Sequence, residues 1–379
     1  MKYLAYYDTP DNSAENRNIV LAATNKVTYI CDAINRAGKT VEIISASGTW
    51  NKKGCKGKTV QISDGTSLKL FSCIGTGLLP IRVLGRILLK LKLFLYLLCQ
   101  IKRNETVIVY HSVAYARMVT LLRKLRNFRL ILEVEEIYAD VNSREKDRKK
   151  EYQVFAVADA FIFPAERLNQ KLNTKGKPYT LICGTYQEEP DRNCRFEEIA
   201  AQGKIHCVYA GTFDPRKGGA QMAIRAAQYL PENYHMHVLG FGSTRDMQQT
   251  MELLEQVKQK CRCDITYDGC LKGEEYIRFL QSCQIGLSTQ NPNAAFNDTS
   301  FPSKILSYMA NGLQVVTVRI PVVEESPVGQ WMHFFEKATP EAVAQAIMNV
   351  KLDIANDGRT DLRALDKEFV KNIKNLLEG

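Results

Sequence analysis

The chain has 379 residues, 45% of them hydrophobic and 24% charged, with a net charge of +10. That length suits two domains of ordinary size, each able to bury a core without disulfides. The charge is lopsided: residues 1–180 hold 30 Lys and Arg against 16 Asp and Glu (+14), residues 181–379 hold 21 against 25 (−4). A whole-chain nucleic-acid binder would be basic throughout, so nucleic acid is not the expected partner, and only the first half is expected to face an anionic surface. The 11 cysteines show no C-x-x-C and no histidine at ligand spacing, so no metal is expected. The opening MKYLAYYDTP is interrupted too early for a secretory signal, which points to the cytosol and reduced thiols.

In chain order, short apolar runs alternate with longer amphipathic segments, the pattern of parallel α/β folds. The first half predicts strands at Lys2–Tyr7, Thr40–Ser45, Thr106–Tyr110, Leu130–Glu135 and Ala160–Phe163, with helices at Ile19–Ala37, Leu79–Lys102, Ala114–Asn127 and Ala165–Lys171. A polar stretch, Gly184–Gly203, reads as a linker. The second half predicts strands at Ile205–Ala210, His235–Gly240, Asp264–Tyr267, Ile285–Ser288 and Gln314–Val318. Its helices fall at Ala220–Tyr229, Asp246–Gln259, Gly273–Cys283, Ser303–Asn311 and Pro340–Val350, and Asp361–Leu377 fits one more. The mixed-sign run Arg144–Glu151 reads as a solvated helix start.

Leu78–Arg103 stands apart. Arg82, Arg86 and Lys90 recur every four residues and make a basic stripe, with Leu84, Ile87, Leu88, Leu91, Leu95 and Leu98 opposite. Its longest uncharged run, Leu93–Ile101, is far short of the ~20 residues that span a bilayer. Two readings stay open: a helix lying on an anionic membrane, or a core helix with a solvated cationic side. The nearby cations Arg117, Arg123, Lys124, Arg126 and Arg129 favour the first.

Three segments of the second half carry chemistry. Val208–Gly218 runs from a strand through Gly211 into a helix start, where backbone can approach a ligand and free N–H groups meet an anion, with Lys217 as a point charge. Gly240 and Gly242 end the next strand, and Gly269 follows the one after; such ends meet at one crevice in a parallel sheet. Asn297–Gly312 is a polar loop opening a helix, with Ser300 or Asp298 as its expected cap. Lys304 stands in its first turn, a mild cost against the helix dipole that a phosphate would offset.

In this order the segments resemble the donor domain of GT-B glycosyltransferases of family four, including bacterial surface-polysaccharide transferases with a Phe-Pro-Ser-Lys variant of the third segment. Gly211 and Lys217-Gly218 match the family's diphosphate loop, and Ser307-Tyr-Met-Ala-Asn-Gly312 matches the close of its last motif. The family's phosphate arginine falls on Thr212, with Arg216 near enough to substitute. Its two glutamates fall on Thr299, flanked by Asp298 and Ser300, and on Ser307. The resemblance implies an α/β GT-B fold, two Rossmann-like doubly wound domains facing a central cleft. Residues 1–183 form the acceptor domain, 184–204 the linker and 205–360 the donor domain, with helix 361–379 crossing back.

On the acceptor side the resemblance sets Glu135 where the family has its histidine, and Glu136 at the aspartate that follows. Glu135 then orients or deprotonates an acceptor hydroxyl, against the plainer reading of a strand-end carboxylate, and His111 is its rival. The implied activity is retaining, metal-independent transfer from a nucleoside-diphosphate sugar, without a further cofactor. The acceptor is a saccharide hydroxyl, lipid-linked and met at the inner face of the cell membrane by a peripheral enzyme. The lost glutamates leave room for a silent homologue that partners an active transferase. A sugar-nucleotide epimerase or hydrolase is the other alternative.

Overall fold

The computed structural model describes residues 1–75, 77, 79–142, 145–192, 203–352 and 358–379. Most of the expected linker (193–202), together with Leu78 and Arg144, lies outside them. The chain divides into two compact units, Met1–Thr185 with Lys367–Gly379, and Tyr186–Asp366.

The first unit runs β1 (Lys2–Ala5), α1 (Leu21–Arg36), β2 (Val41–Ser45), β3 (Lys58–Ser63), β4 (Thr66–Leu70), α2 (Leu79–Gln100), β5 (Thr106–Tyr110) and α3 (Val113–Leu125). It continues with β6 (Arg129–Glu133), α4 (Tyr138–Asn142), α5 (Glu145–Val157), β7 (Ala160–Phe163), α6 (Glu166–Leu172) and β8 (Tyr179–Leu181). The sheet order is β3-β4-β2-β1-β5-β6-β7-β8, parallel but for β3. β1 and β7 are buried at every residue, as strands covered on both faces must be. β3 alternates half-buried and exposed residues at the sheet edge and turns into β4 through Asp64-Gly65. That hairpin escapes the sequence reading, although Asp-Gly between alternating runs is its signal. Strand order reverses between β1 and β5, the switch point where such sheets bind ligands.

The second unit runs β9 (Ile205–Thr212), α7 (Gly219–Ala226), β10 (Tyr234–Phe241), α8 (Thr244–Lys258), β11 (Asp264–Tyr267), α9 (Gly273–Gln281), β12 (Ile285–Ser288), α10 (Lys304–Ala310) and β13 (Gln314–Val318). After α11 (Pro321–Glu324) come β14 (Met332–Phe335), α12 (Pro340–Met348) and α13 (Gly358–Glu378). Its sheet, β11-β10-β9-β12-β13-β14, is parallel throughout and switches between β9 and β12. Local chemistry sets the helix starts: Ser243 and Asp246 form a reciprocal capping box on α8, and Thr339 caps α12 ahead of Pro340. The last turns of α13 belong to the first unit, where Phe369 stacks on Tyr29 and the Arg129 guanidinium donates to the Leu377 carbonyl.

Candidate functional site

At the switch point of the second unit the glycines do steric work. Gly240 has φ +147°, and a Cβ there would stand 1.8 Å from the Gly211 carbonyl oxygen, so a side chain is excluded. At Gly211 a Cβ would meet the Lys304 ammonium at 2.9 Å. The loop after β9 is tied down from within and from β12. The N–H groups of Lys217 and Gly218 donate to the Asp214 carbonyl, and the Asn291 N–H donates to the Lys217 carbonyl at 2.8 Å. Thr289, just past β12, donates its hydroxyl to the Gly219 carbonyl at 2.7 Å.

Lys304 lays its ammonium 3.9 Å from the centre of the Tyr209 ring. Burial, and then the charge of Lys217, pulls its pKa down to about 7. Among the described residues no carboxylate pairs with Lys304 or with the exposed Lys217. Asp214, already gripped by Arg216, lies near enough for the Lys217 charge to help lower its pKa, and it leaves the converging ammonium of Lys304 to an added anion. Arg216 is not brought to the two lysines: it is 88% exposed and its guanidinium grips Asp214 at 2.7 Å. Thr212 is exposed beside the same loop.

The third segment is organised by residues the sequence reading passed over. Tyr308, four residues after Lys304 and so on its helix face, accepts from the Ala210 N–H at 2.9 Å and donates to the Leu287 carbonyl. It thereby pins α10 to β9 and β12. Buried Asn297 donates to the carbonyls of Asn291 and Pro292. The expected cap by Ser300 or Asp298 is not formed, because Ser303 occupies the cap position and its side chain makes no capping bond. Thr299 and Ser300 are half-buried, Asp298 is exposed, and Ser307 bonds the Tyr276 hydroxyl. Gly240 N–H donates to the Gly269 carbonyl, and Gly242 lies against Phe213 and Asp246.

At the switch point of the first unit a cavity of about 420 Å³ opens between the ends of β1 and β5, lined by Tyr6, Trp50, Tyr110, Ser112 and Tyr138 among others. Glu135 lies just past β6, with Oε1 2.6 Å from the Lys26 ammonium. Beneath it Glu133 is fully buried, takes the Tyr3 hydroxyl, and is hydrogen-bonded to Glu135. Burial, then the Glu135 charge, lifts Glu133 to about 8, so it holds its proton at neutral pH. Sequence reading had no handle on Glu133, because its partners Tyr3 and Lys26 arrive from β1 and α1.

His111 lies inside the first unit. It is 2% exposed, its Nε2 lies 2.8 Å from Glu151 Oε1, and Phe155 and Tyr138 pack on its ring. Glu151 in turn accepts from the N–H groups of Tyr138 and Ala139. The pair is an internal brace between β5 and α4–α5, and Glu151 is not on a solvated face.

The α2 reading is also revised. The stripe that packs is Gly85, Leu89, Leu93 and Leu97, whereas Leu84, Ile87, Leu91 and Leu95 are each about half exposed. Arg82, Arg86 and Lys90 line a second cavity, of about 290 Å³, that shares Tyr6, Asn18 and Trp50 with the first. The Arg82 Nε is buried there without a partner among the described residues. On the neighbouring α3, Leu121 and Leu125 are exposed as well. No described helix is long and apolar enough to cross a membrane.

Three histidines of the second unit meet in the fold. His206 and His237 are 2% exposed and His235 7%, and their ring nitrogens cluster across β9 and β10. Burial and the other two rings hold His235 near a pKa of about 4. The grouping is invisible in the sequence, because His206 joins the His235-x-His237 pair only through strand register.

A family model described as "Glycosyl transferases group 1" matches residues 204–353. No curated protein matches the sequence. Among solved structures, sucrose-phosphate synthase from Thermosynechococcus elongatus is similar over 100% of this chain and 98% of its own, with TM-score 0.70 and 14% identity. The α,α-trehalose-phosphate synthase (UDP-forming) from Burkholderia xenovorans, in complex with glucose-6-phosphate, gives 0.70 and 11% over 100% and 99%. An E. coli trehalose-6-phosphate structure bound with UDP-2-fluoro glucose gives 0.67 and 11% over 100% and 97%. At such identities these likenesses establish the fold, which is GT-B. The chain carries a glycosyl transferases group 1 domain across most of its second unit and is a glycosyltransferase.

Proposed function

We propose that the enzyme transfers a sugar, with retention, from a uridine-diphosphate sugar to a hydroxyl of a lipid-linked saccharide at the inner face of the cell membrane. The observation that carries the donor half is Lys304 beside Gly211 with Lys217 near it, neither in a salt bridge among the described residues. Lys217, Lys304 and the free N–H groups opening α7 suit a diphosphate, and their charges stabilise it as it leaves. No cofactor is needed for that role. Two of the similar structures name a uridine nucleotide, as ligand or as product, which supports uridine as the base.

Glu135 is the acceptor-side group. Lys26 and the protonated Glu133 hold it as an oriented acceptor for a sugar hydroxyl beside the 420 Å³ cavity. In a retaining step the bond between sugar and diphosphate breaks, the acceptor oxygen bonds the same face, and its proton ends on the departing phosphate.

The acceptor class rests on α2. A cationic cavity lined by Arg82, Arg86 and Lys90 fits a phosphate-bearing headgroup, and the exposed Leu84, Ile87, Leu91 and Leu95 fit the acyl layer beside it. Transfer of labelled sugar to a polyprenyl-diphosphate-linked saccharide in vesicles, compared with free glucose-6-phosphate, tests this reading. Transfer confined to the lipid acceptor is expected. Transfer to glucose-6-phosphate alone would overturn the lipid assignment and leave the donor half standing.

A further inference from the structure

Three imidazoles are buried together in the second unit, apart from the groups that hold the donor. His206 on β9 is in register with His235 on β10, and His237 lies two residues on, so all three project from one face of the sheet. One ring nitrogen from each lies within 4.8 Å of the others. His206 Nδ1 and His237 Nε2 are 2.9 Å apart. Two nitrogens on one tetrahedral zinc, at bonds of 2.0–2.1 Å, stand roughly 3.3 Å apart, so little movement separates this pair from a ligand geometry.

The surroundings favour an ion over a chance grouping. Asp268 Oδ2 accepts from His237 Nδ1 at 3.1 Å, which leaves Nε2 with its lone pair turned toward His206. A carboxylate behind a ligating imidazole fixes its tautomer and raises its basicity. Thr266 Oγ1 does the same service for His235 Nε2, at 3.0 Å, and is itself bonded to Asp268. Phe279 closes the site edge-on against His237. Soft or borderline divalent ions take such nitrogens, while calcium and magnesium prefer oxygen.

We propose that His206, His235 and His237 bind one divalent ion of the zinc class, with Asp268 orienting His237. The ion ties β9 to β10. Through Asp268 it also steadies the residue before Gly269, whose carbonyl accepts from the Gly240 N–H. Its role is structural, and it neither touches the leaving diphosphate nor depends on the donor reading.

The test uses the full chain, stripped with chelator and titrated with Co(II) and then Zn(II) without nucleotide. One equivalent of Co(II) is expected, with tetrahedral visible bands and no sulfur-to-cobalt charge-transfer band, displaced by Zn(II) with a rise in Tm. Asp268→Asn should weaken binding about 10–100-fold. His206→Gln and His237→Gln should abolish it. Absence of a stoichiometric site in the wild-type chain, or a cobalt spectrum dominated by sulfur, overturns the proposal whatever the variants do. Undiminished binding in folded His237→Gln overturns it too.

Discussion

The two units treat buried Lys26 and half-buried Lys304 in opposite ways. Lys26 in the first unit is neutralised by Glu135 at 2.6 Å and also donates to the Ile182 carbonyl. Lys304 in the second has an aromatic face and a second lysine for company. A paired buried cation is a finished piece of structure, whereas an unpaired one costs free energy until an anion arrives. Under the proposed function, the difference separates the unit that would hold a charged leaving group from the unit that would orient a neutral hydroxyl. Arg82, Arg86 and Lys90, which have no salt bridge among the described residues, line a separate cavity on α2.

That contrast can be broken in several places. The largest effect is expected at Glu135. Glu135→Gln should slow transfer about 10²–10⁴-fold, the usual worth of a positioned acid–base side chain, here one that orients the attacking hydroxyl, with uridine-diphosphate affinity unchanged. Equal loss of nucleotide binding would erase the division of labour. Next is Gly240→Ala, where the new Cβ must push the Gly211 carbonyl aside at a disfavoured φ. A loss of about 3 kcal/mol or more is expected in thermal unfolding, confined to the second unit.

The α2 cations come third. Replacing Arg82, Arg86 and Lys90 together by Gln should weaken binding to phosphatidylglycerol vesicles by about 1 kcal/mol per charge, read by co-sedimentation. Ile87→Asn with Leu91→Asn should weaken it at constant charge, and unchanged sedimentation of both variants would make α2 an ordinary surface helix. The last effect, spread over several pH units, is at Glu133. Its folded pKa of about 8 lies above the ordinary 4.5, so the folded state holds the proton more tightly than the unfolded one. That stabilisation is full below pH 4.5 and is lost as pH rises through about 8. Glu133→Gln, which mimics the protonated acid, should flatten this part of the stability profile in melts between pH 5 and 9.

Much of the second unit was legible because its signals are local. Gly211, Lys217, Gly240 and Lys304 sit at chain positions where strand ends, loop and helix start are written within a few residues. What made them a site, Tyr209 under Lys304 and Tyr308 across β9 and β12, depends on register and was not legible. In the first unit the partners are far apart in sequence. Glu133 meets Tyr3 and Lys26 meets Glu135 across more than a hundred residues, and His111 found Glu151 on a segment whose mixed charges read as solvated. On α2 the period of four was right but the buried face was not. Gly85 lets the helix pack closely on Ile74, and that turns Ile87 and Leu91 outward.

The most direct test of the central claim is calorimetric binding of uridine diphosphate, without added metal, to the wild-type chain and to Lys217→Ala and Lys304→Ala. Each lost charge-assisted contact should cost ~1.5–3 kcal/mol, or about 10–150-fold in Kd. Wild-type affinity should also fall as pH rises above 7, because the free Lys304 ammonium, with its pKa near 7, must regain its proton to bind. Unchanged affinity in both variants, with no decline above pH 7, would contradict the account.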